Sequence, residues 1–299
     1  MTTLSSQAIP ASRSIRSWLQ AHPLLAYFTL AFAGTWLFFA PLTFSQRGLG
    51  LLPVELSDGL AFLCYFLSTY AGPFLAAFVV TYAVDGSSGV RKLLKRVVQW
   101  RVGLSWYVVL LVGYPLLVLA GVAFLSNGVS VGQFINGWPL IFTSYLPAIL
   151  FGLLFPSLGE ETGWRGFALG HLQHRYGPVI GSLILGALHA LWHLPAYPVR
   201  GLFTEIGWDM TVFIANSLAI ITATLVWTWL FNHARGSIFF AILTHATSNA
   251  TSGIISQWLP GLAEDPWLLA KIFGAAALVL ILVTRGRLAY ERNTNGRIG

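Results

Sequence analysis

A chain of 299 residues that is 56% hydrophobic and only 9% charged, with a mean hydropathy of +0.71, is too apolar for a water-soluble domain and has the balance of a polytopic membrane protein. Its formal net charge of +7 does not point to a nucleic-acid partner, because the basic residues lie in short loops between apolar runs, where membrane orientation accounts for them. The single cysteine, Cys64, sits inside an apolar run and excludes both a disulfide framework and a cysteine-based metal site.

Taken in chain order, the apolar runs predict an all-α membrane helix bundle. Arg13 and Arg16 precede an apolar stretch, 24–39, in the order of a signal peptide, but the stretch is too long for one and reads as an uncleaved first span. A spanning helix needs about 20 mostly apolar residues. On that measure eight spans are expected, over 24–44, 60–83, 104–125, 138–158, 178–196, 209–231, 236–258 and 266–284. They form a single membrane domain, 1–299, with no internal repeat. Fourteen of the seventeen Lys and Arg fall in the N-terminus, the 84–103 loop, the 159–177 segment, Arg235 and the C-terminal tail. Six of the ten acids, Glu264 and Asp265 among them, lie on the other side. The positive-inside rule therefore expects a multi-pass protein with both termini cytoplasmic.

Chemistry concentrates where polar residues interrupt these runs. Glu160 and Glu161 follow the uncharged run from Trp138 to Leu158. A carboxylate near the bilayer centre costs about 2.5–3.5 kcal/mol on insertion scales, so such acids mark function more often than packing. The bland alternative is a pair of interfacial anchors at a span end. Glu161 and Arg165 stand at i, i+4 and share a helix face, which predicts an ion pair. Glu160 points about 100° away around the axis and is left for another task. Pro156, Gly159 and Gly163 suggest a bend or the close approach of a second helix.

The next span carries His189 and His193 on one face, and the one after it His245 and Asn249, again one turn apart. A lone intramembrane histidine is usually a satisfied packing residue, and Thr247 and Ser248 are well explained as interhelical glue. Three polar pairs on successive apolar helices are more economically explained if they meet, since isolated polar groups in hydrocarbon are costly. His193 lies about 22 Å into its span at the helical rise. To reach that depth, the fourth helix has to continue past Leu158 through Gly163–Phe167, kinked near Pro156, with the Glu pair buried.

A carboxylate with an imidazole is a general-base arrangement, and a second histidine with an Asn amide supplies donors for a developing oxyanion. The residues thus suit hydrolysis of an amide or ester inside the bundle. His-Glu-x-x-His is absent, Ala250–Thr251–Ser252–Gly253 lacks the first glycine of a serine-protease turn, and Asp58, Asp85, Asp209 and Asp265 lie at loops or span ends. Two alternatives stay open: a proton-coupled transporter using Glu160, His193 and His245 as a relay, and a non-catalytic scaffold or immunity protein. No cofactor is expected. Zinc stays open too, because two histidines and a glutamate can hold it, although Asn249 beside His245 is an unusual ligand.

Glu160–Glu161–x–x–x–Arg165, then x–x–x–His193, then His245–x–x–x–Asn249 resemble the three motifs of the CPBP family. These are the CAAX-processing and bacteriocin-processing intramembrane glutamic endopeptidases, which include CAAX prenyl protease 2 and the lysostaphin-resistance-protein-A-like proteins. The resemblance covers about residues 138–256. One position departs: the family's second motif opens with an aromatic residue four before its histidine, and here that place is held by His189. Leu194–Pro195 after His193 fits the family pattern, which favours His193 as the motif histidine and leaves His189 as support. The resemblance implies that Glu160 and His193 activate water, that His245 and Asn249 hold the oxyanion, and that Glu161 and Arg165 support Glu160. It also implies a membrane-embedded or lipid-anchored peptide or protein as the substrate, met in the lipid bilayer.

Overall fold

The computed structural model describes residues 15–126, 136–259 and 265–291. Arg13, Glu264 and the tail from 292 on, which entered the orientation count, lie outside the described residues. The described residues form helices joined by turns and loops: α1 Ile15–Ala21, α2 Pro23–Phe44, α3 Asp58–Val97, α4 Leu104–Leu125, α5 Ile141–Leu154, α6 Ser157–Tyr176, α7 Pro178–Trp192, α8 Met210–His233, α9 Ile238–Trp258 and α10 Leu268–Val283. Caps and breakers in the sequence set these limits. Asp209 Oδ1 accepts from the backbone N–H of Thr211 (2.7 Å) and Val212 (3.0 Å) at the start of α8, and Ser237 Oγ accepts from Phe240 N–H (3.1 Å) at the start of α9. Gly177, at φ 80°, closes α6, and Pro178 opens α7 at its first turn.

Among the described residues six helices are long and apolar enough to cross a membrane, counting α7 with the 3₁₀ turn Leu194–Ala196 that follows it. The eight-span expectation is met by these six only with two additions. The fourth span is not one helix but α5 and α6, bent by 50° at Phe155–Pro156, and the eighth is α10, a 16-residue apolar helix. The outer surface agrees with a lipid setting: large apolar side chains such as Leu37, Phe124, Leu150 and Val283 are exposed.

One helix organises the core. In α9, 78% of the apolar window is buried, against 22–39% in the other candidate spans. It contributes Phe240, Leu243, Ala246 and Ile254 to a cluster with α4, α8 and α10, and Ile238, Ala241 and Ile242 to a second cluster with α2, α3, α6 and α7. His245, on the same helix, therefore sits between the two halves of the bundle. The second half packs closely through glycine. A Cβ on Gly163 would lie 2.3 Å from Tyr27 Oη and 2.5 Å from the Pro73 carbonyl oxygen, so α6 meets α3 at backbone distance and the Tyr27 side chain of α2 beside it.

The continuation of the fourth helix past Leu158 is observed. α6 carries Glu160 and Glu161 in its first two turns, with relative exposures of 1% and 0%. Arg165 is 1% exposed as well, so it belongs to the core and leaves the set of loop charges used to infer orientation.

Candidate active site

The site grows out of the first turns of α6. The cis Phe155–Pro156 peptide precedes the helix, and a π turn at Trp164–Ala168 follows the Glu pair. Such widened turns recur at functional sites because they shift the register of the side chains after them. Here Arg165 lies at the start of that turn. Its Nη1 donates to Glu161 Oε1 at 2.8 Å, and its guanidinium carbon stands 4.8 Å from the centre of the Trp227 ring. The expected i, i+4 pair is present, and α8 supplies the aromatic face that holds the cation in an apolar interior.

Glu161 has a second partner that the sequence did not reveal. His245 Nδ1 lies 3.0 Å from the same Oε1, so one carboxylate oxygen ties α6 to α9. The His245 ring is also packed on Trp227, with centroids 5.2 Å apart. Removing one member of a buried charged pair leaves the other uncompensated, at a cost of about 3–5 kcal/mol. Glu161→Gln and Arg165→Ala should each lower thermal stability in detergent by an amount of that order. The double variant should lose less than the two single losses together, because the unpaired charge has gone; strict additivity would show that the pair is not coupled.

Glu160 is not wholly free. Its Oε2 lies 2.9 Å from His189 Nε2, and the His189 ring is enclosed by Trp164 and Trp192, with centroids at 4.9 and 5.9 Å. The direct contact to Glu160 thus comes from His189, not from His193. Oε1 of Glu160 makes no hydrogen bond among the described residues. His193 lies one turn on, where α7 gives way to the Leu194–Ala196 turn, and its Nδ1 is 2.9 Å from the His189 carbonyl oxygen. That end of α7 is fastened to α2 and α3: Trp192 Nε1 donates to Thr35 Oγ1 (2.7 Å), which donates to the Ser68 carbonyl (2.7 Å).

Two cavities of about 200 and 210 Å³ adjoin this centre. Glu160 and Pro156 line the first; His189, Trp227 and Ala223 line the second. His193, Phe203, His245 and Asn249 line both and form the wall they share. Asn249 is exposed to this space and makes no hydrogen bond among the described residues. The fold brings together all seven residues singled out from the sequence, from α6, α9 and the end of α7. The sequence did not single out Thr35, Trp164, Trp192 or Trp227. An apolar run gives no sign that its tryptophans and threonines face a polar centre rather than lipid.

Comparison with known proteins covers the same part of the chain. Residues 142–251 match the family model of type II CAAX prenyl endopeptidases, Rce1-like, an interval that contains every residue of the site from Glu160 to Asn249. The chain is also similar to CAAX prenyl protease 2 of Methanococcus maripaludis, 26% identical over 243 residues, which cover 76% of this chain and 86% of that protein. The three motifs drawn onto one buried centre thus fall in the part of the chain that is similar to CAAX-protease-like membrane proteins.

Proposed function

We propose that this protein is an intramembrane endopeptidase that hydrolyses a peptide bond of a membrane-associated polypeptide with a water activated by Glu160 and His193. The observation that carries the proposal is that Glu160, His193, His245 and Asn249 line a single cavity inside the bundle. In this reading, water sits between Glu160 Oε1 and the His193 ring. Glu160 takes its proton as the oxygen attacks the peptide carbonyl carbon, and the proton passes to the leaving amine as the C–N bond breaks. The negative oxygen that forms is met by Asn249 Nδ2–H and by His245. Because Glu161 Oε1 accepts a hydrogen bond from His245 Nδ1–H, Nε2 donates only when the ring carries both protons, so Glu161 is what sustains the donor form. The relative's name adds that the substrate class includes prenylated CAAX proteins.

The roles of the two α7 histidines separate by position. His193 faces the cavity that holds Glu160, whereas His189 lies behind Glu160 and is 4% exposed. His193→Ala should therefore lower kcat by about 10²–10⁴, the usual worth of a positioned acid–base group, and His189→Phe by at least about tenfold less. The opposite order would reassign the motif histidine.

The test of the function uses purified protein in liposomes with a membrane-embedded peptide. Cleavage that persists in chelator and is lost in Glu160→Gln supports the proposal. Charge movement across the vesicle without cleavage would favour a transporter and overturn it. Orientation is tested separately. A cysteine placed after Arg285 in a Cys64→Ser background should react with a cytoplasmic thiol reagent, and protection there would reject cytoplasmic termini.

A further inference from the structure

We propose that Glu160, His189 and His193 form a binding site for one zinc ion, and that zinc held there inhibits the protein by engaging the carboxylate that activates water. The first half stands on the geometry alone; the inhibitory half rests on the proposed function.

Each of the three residues offers one ligand atom, and these atoms lie within 4.8 Å of one another. Zinc takes imidazole nitrogen at about 2.0–2.1 Å and carboxylate oxygen at about 2.0–2.2 Å in a tetrahedron, which sets its donors about 3.3–3.5 Å apart. The Glu160–His189 pair is at 2.9 Å, so one donor pair opens slightly and the others close by up to about 1.5 Å. Two imidazoles and a carboxylate are a donor set zinc prefers, and three protein ligands leave a fourth position facing the cavity. His193 is prepared for this role. A backbone carbonyl only accepts, so the 2.9 Å contact from Nδ1 to the His189 oxygen places the proton on Nδ1 and leaves the Nε2 lone pair available.

Charge favours a cation as well. In the buried cluster two carboxylates, Glu160 and Glu161, face one guanidinium, Arg165, so without a bound cation the charges balance only while His245 carries its second proton. The third ligand departs from the resembling motif. His189 occupies the place where the resembling motif has an aromatic residue, and with an aromatic there only two ligands would remain.

The full chain, stripped with chelator and purified in detergent, is titrated with Co²⁺ as a spectroscopic probe and with Zn²⁺ as its competitor. The expected result is the visible absorption of four-coordinate cobalt, bleached by one equivalent of zinc. In His189→Phe the affinity should fall by at least about 100-fold, beyond the usual effect of losing even an outer partner. His189→Gln, which keeps a hydrogen bond to Glu160, replaces it if the Phe variant elutes unfolded. Cleavage by wild type should drop to about 1% at zinc 100 times its dissociation constant and return with chelator. Zinc sensitivity is read as the ratio of rates with and without metal, so any change in basal rate divides out, and in His189→Phe the ratio should be about one half or higher at the same zinc. Absence of the cobalt bands in folded wild type, or unchanged affinity in the folded variant, overturns the site. Zinc that raises cleavage overturns the inhibitory role. A chain that binds zinc yet cleaves nothing in chelator refutes the peptidase reading and with it the inhibition, while the metal site stands.

Discussion

Glu160→Gln should fold as the parent does and lose at least about 10² in kcat, the lower bound for removal of a positioned general base. The amide keeps the size of the carboxylate and can still bond His189 Nε2, so the α6–α7 contact at 2.9 Å survives in altered form. It cannot take a proton from water. The variant also removes a buried negative charge that no guanidinium matches, and its thermal stability should be equal to or above that of the parent. A loss of turnover with stability retained separates the catalytic reading from a structural one. Full activity in Glu160→Gln would overturn the mechanism.

Asn249→Ala and His245→Ala should each cost about 10²–10³ in kcat with little change in KM, as expected of donors that act on charge present only in the transition state. Their stability effects should differ. Asn249 faces the cavity and makes no hydrogen bond among the described residues, so its truncation should leave the melting temperature nearly unchanged. His245 is held at 3.0 Å by Glu161 and packed on Trp227, so its truncation takes one of two donors from a buried carboxylate oxygen and should also destabilise. His245→Gln separates the two contributions, because the amide keeps a partner for Glu161 but cannot carry the second proton. Recovery of stability without recovery of turnover is the expected pattern. Recovery of both would show that a neutral donor suffices.

The class of the molecule and the meeting of its motifs were legible in the residues. An apolar chain in a bilayer has helices as its ready solution, since backbone groups find no water to bond. Polar pairs at i, i+4 on three such helices then have few partners except one another. This reasoning required the fourth helix to run on past Leu158, and α6 does so with Glu160 and Glu161 buried.

The tertiary structure decided the pairing. Periodicity puts His189 and His193 on the same face of α7 but leaves open which stands level with Glu160, because that depends on how far α6 and α7 slide along each other. The packing sets His189 against Glu160 and His193 at the cavity. It also gives Glu161 a second partner in His245, and turns Trp227 and Trp164 from lipid-facing candidates into walls of the site. Spacing along a helix fixes direction around its axis, whereas depth and rotation between helices come only from the fit of their side chains, such as the glycine contact of Gly163 with Pro73.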